Sequence, residues 1–164
     1  MRVRRLEAHE VELHRELRLR ALGDAPESFG ETVVEAGARP LSYWEDLTRS
    51  VTEPGRHVMF LADEGPAPVG STYGLLDRDR PGAGRVGGMW VAPASRRRGV
   101  GRLLLRAVFD WARERELTGL GLWAPARSPG AIALYSREGF RETGVRRPLA
   151  SGSVLEIVEM ECQL

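Results

Sequence analysis

Six residues, Arg96-Arg97-Arg98-Gly99-Val100-Gly101, concentrate the clearest chemistry in the chain. Two glycines let the backbone turn tightly and leave successive N–H groups open to a ligand. The helix pattern that begins at Val100 would add unpaired N–H donors and about half a positive charge at its first turn. Three guanidinium groups supply bidentate donors for phosphate oxygens. Together these describe a diphosphate site, with a solvated basic loop as the plainer alternative. Two other phosphate motifs are excluded. Gly82-Ala83-Gly84-Arg85-Val86-Gly87 has the glycine spacing of a dinucleotide fingerprint but precedes a strand, whereas that fingerprint follows a strand and opens a helix. It reads instead as a hairpin turn with a bulge near Gly87-Gly88. A P-loop needs a Lys, and the sequence contains none.

The elements that must position this turn follow from hydrophobic period. Val3 to Glu7 suits a short strand, His9 to Leu22 an amphipathic helix with Leu13, Leu17 and Ala21 inward, and Pro40 to Val51 a second helix on Leu41, Trp44 and Leu47. His57 to Ala62 and Val69 to Leu76 pattern as a β-hairpin, and Arg85 to Val91 as the next strand. Val100 to Arg115 is the strongest helix, striped by Val100, Leu103, Leu104, Ala107, Val108 and Trp111. A strand at Leu120 to Ala124, a helix at Gly130 to Glu138 and strands at Phe140 to Val145 and Val154 to Cys162 complete the order. The expectation is one mixed α/β (α+β) domain over residues 1–164.

Composition narrows the classes. A net charge of +1 lacks the broad basic surface of a nucleic-acid binder. One cysteine, Cys162, excludes an intrachain disulfide and any multi-cysteine zinc site. It reads as a small buried apolar residue. His9 and His14 stand five apart, off a common helix face, so no metal is expected. No apolar run approaches a membrane span, and Met1-Arg2-Val3-Arg4-Arg5 is not the start of a signal peptide. The expected compartment is the cytoplasm. All 24 basic residues are Arg, and Asn is absent too, which reads as genome composition bias.

Val91-Ala92-Pro93 followed by Arg96 to Gly101 resembles the acetyl-CoA diphosphate motif of the GNAT N-acetyltransferase superfamily. Ala131-Ile132-Ala133-Leu134-Tyr135-Ser136-Arg137-Glu138-Gly139-Phe140 resembles its second signature, a helix ending in Gly-Phe. Residues 21–35 resemble the first helix–loop region of a bacterial subgroup more weakly. The resemblance implies a mostly antiparallel central sheet of six or seven strands flanked by about four helices. It also implies acetyl-CoA as acyl donor and direct transfer to an amine through a ternary complex. Met89, Trp90 and Val91 would pair through their backbone with the pantetheine arm. Arg96, Arg97, Arg98, Gly99, Val100, Gly101 and Arg102 would wrap the diphosphate, and Tyr135 would protonate the departing thiolate. Ser128 stands where the family often has Asn, and a hydroxyl replaces only part of that amide's hydrogen bonding.

Some members carry a Glu base on the strand where Trp123 lies, and no carboxylate occurs from Leu117 to Arg137. The base must come from elsewhere, with Glu31, Glu35 and Asp77 as candidates, or act through water. Between Arg20 and Arg39 lie Asp24, Glu27, Glu31 and Glu35 without a basic residue. In the resembling fold this loop borders the acceptor cleft, so a cationic small-molecule amine is the expected acceptor. The alternatives are acetylation of protein or peptide N-termini and a catalytically silent acyl-CoA sensor. A homodimer is compatible with the sequence.

Overall fold

The computed structural model describes residues 1–55 and 57–164. Strands β1 (Arg2–Arg5), β2 (His57–Glu64), β3 (Ala67–Leu76) and β4 (Ala83–Val91) form an antiparallel half-sheet. Strands β5 (Gly119–Pro125), β6 (Arg141–Pro148) and β7 (Glu156–Gln163) form the other half, and the full order is β1-β2-β3-β4-β5-β7-β6. The halves meet where β4 runs parallel to β5. That ladder has three rungs only: Ala83 to Gly119, Gly84 to Leu120 and Arg85 to Gly121. Beyond Arg85 the two strands separate, leaving a wedge.

Five helices cover the sheet: α1 (Val11–Asp24), α2 (Val33–Gly37), α3 (Leu41–Thr52), α4 (Val100–Glu114) and α5 (Pro129–Arg137). The strands and four longer helices follow the hydrophobic periods within a few residues. Helix α2 was not expected. Its signal is nonetheless local, a capping box in which the Thr32 hydroxyl accepts from the Glu35 N–H and the Glu35 carboxylate accepts from the Thr32 N–H.

Helix α4 lies across the sheet with Val100, Leu104, Leu105, Val108, Trp111 and Ala112 fully buried. Leu103, expected inside, is 42% exposed. The buried sector is wider than a sheet contact alone would make it, because Phe109 also packs edge-on against Phe140, at 5.9 Å between ring centroids. The sector therefore turns toward Leu105 and Phe109 and away from Leu103. Leu41 is likewise exposed, at the first residue of α3, whose buried face is Trp44, Thr48 and Val51.

On the opposite face of the sheet, α1 buries a histidine among apolar residues. His14 is fully enclosed, with Nδ1 2.9 Å from the Thr48 hydroxyl and Nε2 2.6 Å from the Tyr73 hydroxyl. Burial, helped by the nearby Arg18 charge, lowers its pKa from 6.5 to about 4. The folded form thus resists a proton that the unfolded chain accepts. This stability is present above pH 6.5 and is lost as pH falls from 6.5 toward 4, roughly 3 kcal/mol over the window. Denaturant melts at pH 7.0 and 4.5 should show that decline, and His14→Gln should flatten it.

Candidate active site

The wedge between β4 and β5 opens because β4 changes direction. Tyr73 of β3 pairs with Gly87 and Ser71 with Trp90, so Gly88 and Met89 together face Thr72. This is a β-bulge, at the place the glycine pair suggested. The Thr72 hydroxyl donates to the Gly87 carbonyl at 3.1 Å and fixes it from the β3 side. Gly88 has φ +54°, and a Cβ there would lie 2.6 Å from the Tyr73 ring. Both facts demand glycine. From Val86 onward the edge of β4 facing β5 has no ladder partner among the described residues, so its backbone groups border open space.

After β4 the chain passes a 3-10 turn at Pro93–Ser95 and enters the arginine turn. Arg97 has φ +60° and Gly99, the N-cap of α4, has φ +83°. Left-handed residues here aim successive N–H groups toward one concavity, beside the first turn of α4. That concavity is a cavity of about 690 Å³, within the range of small-molecule and cofactor sites. Its walls are the loop after α1 from Ala25 to Phe29, the 89–91 end of β4, the arginine turn with the start of α4, and α5 along its length to Glu138.

Most of the predicted donor-side residues meet there. Met89, Trp90, Val91, Arg96, Arg97, Gly99, Val100, Gly101, Arg102 and Ser128 all border this cavity. Ser128 sits at the N-cap of α5, where its hydroxyl makes no capping bond. Arg98 does not border it: its guanidinium points away and pairs with Glu64 at 2.5 and 2.9 Å. Two other arginines are held by carboxylates at the rim. Arg96 pairs with Asp24, which also accepts from the Trp90 indole N–H at 2.9 Å, and Arg102 pairs with Glu138 at 2.7 Å. The Arg97 guanidinium has no carboxylate partner among the described residues.

Tyr135 borders a smaller slot of about 110 Å³ that shares Ser28, Phe29 and Met89 with the main cavity. The slot runs through the wedge, between Gly87 and Gly88 of β4 and Leu122, Trp123 and Pro125 of β5. The Tyr135 ring packs edge-on against Phe140, and burial pushes its phenol up from 10, so it keeps its proton at any physiological pH.

The expected bases are elsewhere. Glu31 borders neither cavity, because its carboxylate accepts from Arg39 Nε at 2.8 Å and Arg18 Nη2 at 3.1 Å. Glu35 is spent on the α2 capping box. Asp77 is buried in an ion cluster, 2.9 Å from Arg85 Nε and 3.2 Å from Arg80 Nε. The acidic loop is therefore largely neutralised, since Asp24 faces Arg96 and Glu31 faces two arginines. Only Glu27 of the four reaches the cavity without an ion pair. The electrostatic argument for a cationic acceptor then rests on Glu27 alone.

Sequence reasoning missed Phe29, Trp123 as a wall and Arg137, all of which border the site. Phe29 follows a 3-10 turn, Pro26–Ser28, and belongs to no periodic segment. Among the described residues no group of three or more His, Cys, Asp or Glu is arranged for a metal ion, and no helix is long and apolar enough to cross a membrane.

A wedge between parallel strands, a β4 bulge and a nest at a helix start are also the places where the sequence motifs fall. The acetyltransferase (GNAT) family profile matches residues 16–140. The chain belongs to the GNAT acetyltransferase family. Members of this family draw the acetyl group from acetyl-CoA. Among curated relatives, a mycothiol acetyltransferase of Thermomonospora curvata is 38% identical over 125 residues, which is 74% of this chain and 39% of the relative. The [ribosomal protein bS18]-alanine N-acetyltransferase of Salmonella typhimurium is 42% identical over 65 residues, 38% of this chain and 44% of the relative. This GNAT chain thus spans less than half the length of either. Among solved structures, the ribosomal-protein-alanine N-acetyltransferase of Brucella melitensis superposes with a TM-score of 0.76 at 22% identity, covering all of both chains. The PaiA N-acetyltransferase of Thermoplasma acidophilum, solved in complex with coenzyme A, gives 0.69 at 13% identity over 99% of this chain and 98% of that one. These two likenesses establish the seven-stranded GNAT fold.

Proposed function

We propose that residues 1–164 form one N-acetyltransferase domain that moves an acetyl group from acetyl-CoA to a primary amine of a small molecule. The observation that carries this reading is the cavity together with the slot that adjoins it. The cavity has diphosphate donors at one end, and the slot, at the wedge, is bordered by a protonated tyrosine.

The residues present fit the donor. The N–H groups of the arginine turn and the unpaired Arg97 suit the diphosphate, and the free β4 edge at Met89 to Val91 suits the amides of an extended arm. When bound, acetyl-CoA supplies an activated acetyl thioester. The Val91 region offers a backbone N–H to polarise a carbonyl oxygen. The Tyr135 hydroxyl holds its proton and delivers it to the leaving sulfur. The slot walls, Phe29 and Trp123, exclude water and confine the amine. Holding the reactants together supplies much of the acceleration, up to about 7–11 kcal/mol in favourable intramolecular cases.

The roof supports a small acceptor. A Cβ on Gly30 would lie 3.1 Å from the Leu149 carbonyl, so the loop after α1 meets the β6–β7 turn one residue beyond Phe29, which lines the slot. That contact would narrow the acceptor side. A peptide N-terminus, the second reading, would have to thread it end-on.

Among the described residues no carboxylate borders the slot, so the amine gives its proton to water. Thiol release from acetyl-CoA across a panel of small amines and peptides tests the reading. For an amine acceptor, kcat/KM should rise with pH through the acceptor's own amine pKa, because only the neutral amine attacks. A more acidic amine should move the whole profile down in pH by the same interval. Donor binding without release from any amine would instead identify a sensor, and faster turnover of peptides would favour the second reading.

A further inference from the structure

A cation that the donor side does not use lies against one wall of the slot. Arg147, on β6, lies with its guanidinium carbon 4.0 Å from the centre of the Trp123 ring. Trp123 walls the slot beside Tyr135. The ladder places the two together: Arg147 pairs with Ile157, Ile157 with Pro125, and Pro125 also lines the slot. Two residues further on is Leu149, whose carbonyl approaches Gly30 in the roof. Arg147 therefore stands behind the Trp123 and Pro125 wall, next to the slot but outside its lining.

Its charge has no protein counterion among the described residues, whereas its neighbours are matched. Arg146 faces Glu142 and Glu156. On the same face Arg80 and Arg85 engage Asp77, Glu159 and Glu161. A guanidinium held over an indole loses less freedom on binding than an unsupported one, and its N–H donors remain available to a ligand. A guanidinium fork matches a carboxylate bidentately.

Resting on the acetyl-transfer reading above, we propose that Arg147, held on Trp123, binds a carboxylate of the acceptor, so that the preferred acceptors are small amino carboxylates. The amine enters the slot toward Tyr135 while the carboxylate stays outside it, at Arg147. This site discriminates acceptors and takes no part in the bond changes.

Matched pairs of acceptors test it, each an amino acid and its carboxamide, assayed with wild type, Arg147→Gln and Arg147→Lys. Wild type should favour the acid over the amide by about 10- to 100-fold in KM. Arg147→Gln should abolish that preference by costing the acid far more kcat/KM than the amide, and Arg147→Lys should recover part of it. Equal use of acid and amide by wild type overturns the proposal, as does an equal loss for both in Arg147→Gln. If no amine is acetylated, the acetyl-transfer reading fails. Calorimetric binding of the same pairs to CoA-saturated protein then decides Arg147 by the same acid-over-amide criterion.

Discussion

Replacing Tyr135 with Phe should lower kcat on the order of 10²–10⁴-fold, with the KM for acetyl-CoA unchanged. The ring makes the packing contact with Phe140 and closes the slot, and Phe retains both. Only the hydroxyl is lost. In the proposed reaction its role would be confined to the step in which sulfur takes a proton, since burial keeps the phenol protonated in the ground state. A ground-state binding role would instead raise KM and spare kcat. The variant also separates two acids. If water replaces the phenol, donors with a better leaving thiol should lose less than acetyl-CoA does. Steady-state rates of thiol release with both donors check it, and an unchanged kcat rejects Tyr135 as the acid.

Gly88→Ala should lower the melting temperature by roughly 5–15 °C and reduce transfer in proportion to the displaced bulge. Two costs add. A side chain at φ +54° is strained by about 1–3 kcal/mol. The new Cβ would also sit 2.6 and 2.7 Å from two carbons of the Tyr73 ring, an overpacking worth about 1–3 kcal/mol more. Tyr73 cannot yield cheaply, because its hydroxyl is tied to the buried His14 at 2.6 Å. Gly82→Ala is the matched comparison. Gly82 has φ +81° but nothing within 4 Å of its Cβ position, so it should show the strain alone. Thermal melts of both variants, read side by side, isolate the close approach. Equal losses would remove Tyr73 from the account of the bulge.

Much of the scaffold was legible because its period is local. Strand alternation and the α4 stripe are properties of neighbouring residues, and the arginine turn carries its glycines in sequence. Leu103 was misplaced because the burial sector of α4 is set by Phe140, some thirty residues away. Glu31 looked free for the same reason: its partners, Arg18 and Arg39, lie on two other segments, and pairing across segments leaves no period. Arg98 and Glu64 repeat the lesson, since three adjacent arginines read alike until the fold assigns each a neighbour. Trp123 and Arg147 could be recognised as a unit only once β5, β7 and β6 were laid in order.

Three rungs are a thin weld between two leaves of sheet. A second fastening crosses on one face. Arg80, in the β3–β4 hairpin, reaches over Gly121 of β5 to Glu159 and Glu161 on β7, and a Cβ on Gly121 would stand 3.1 Å from its guanidinium. The closed end of the seam is stapled by charge, and the open end is left for whatever extended molecule lies along it. A ligand that bonds the bare edge of β4 while bracing against β5 would act as the missing strand. Cohesion of the two leaves and occupancy of the gap are then one thermodynamic quantity, so the protein should be mechanically soft along this line when empty and stiff when filled.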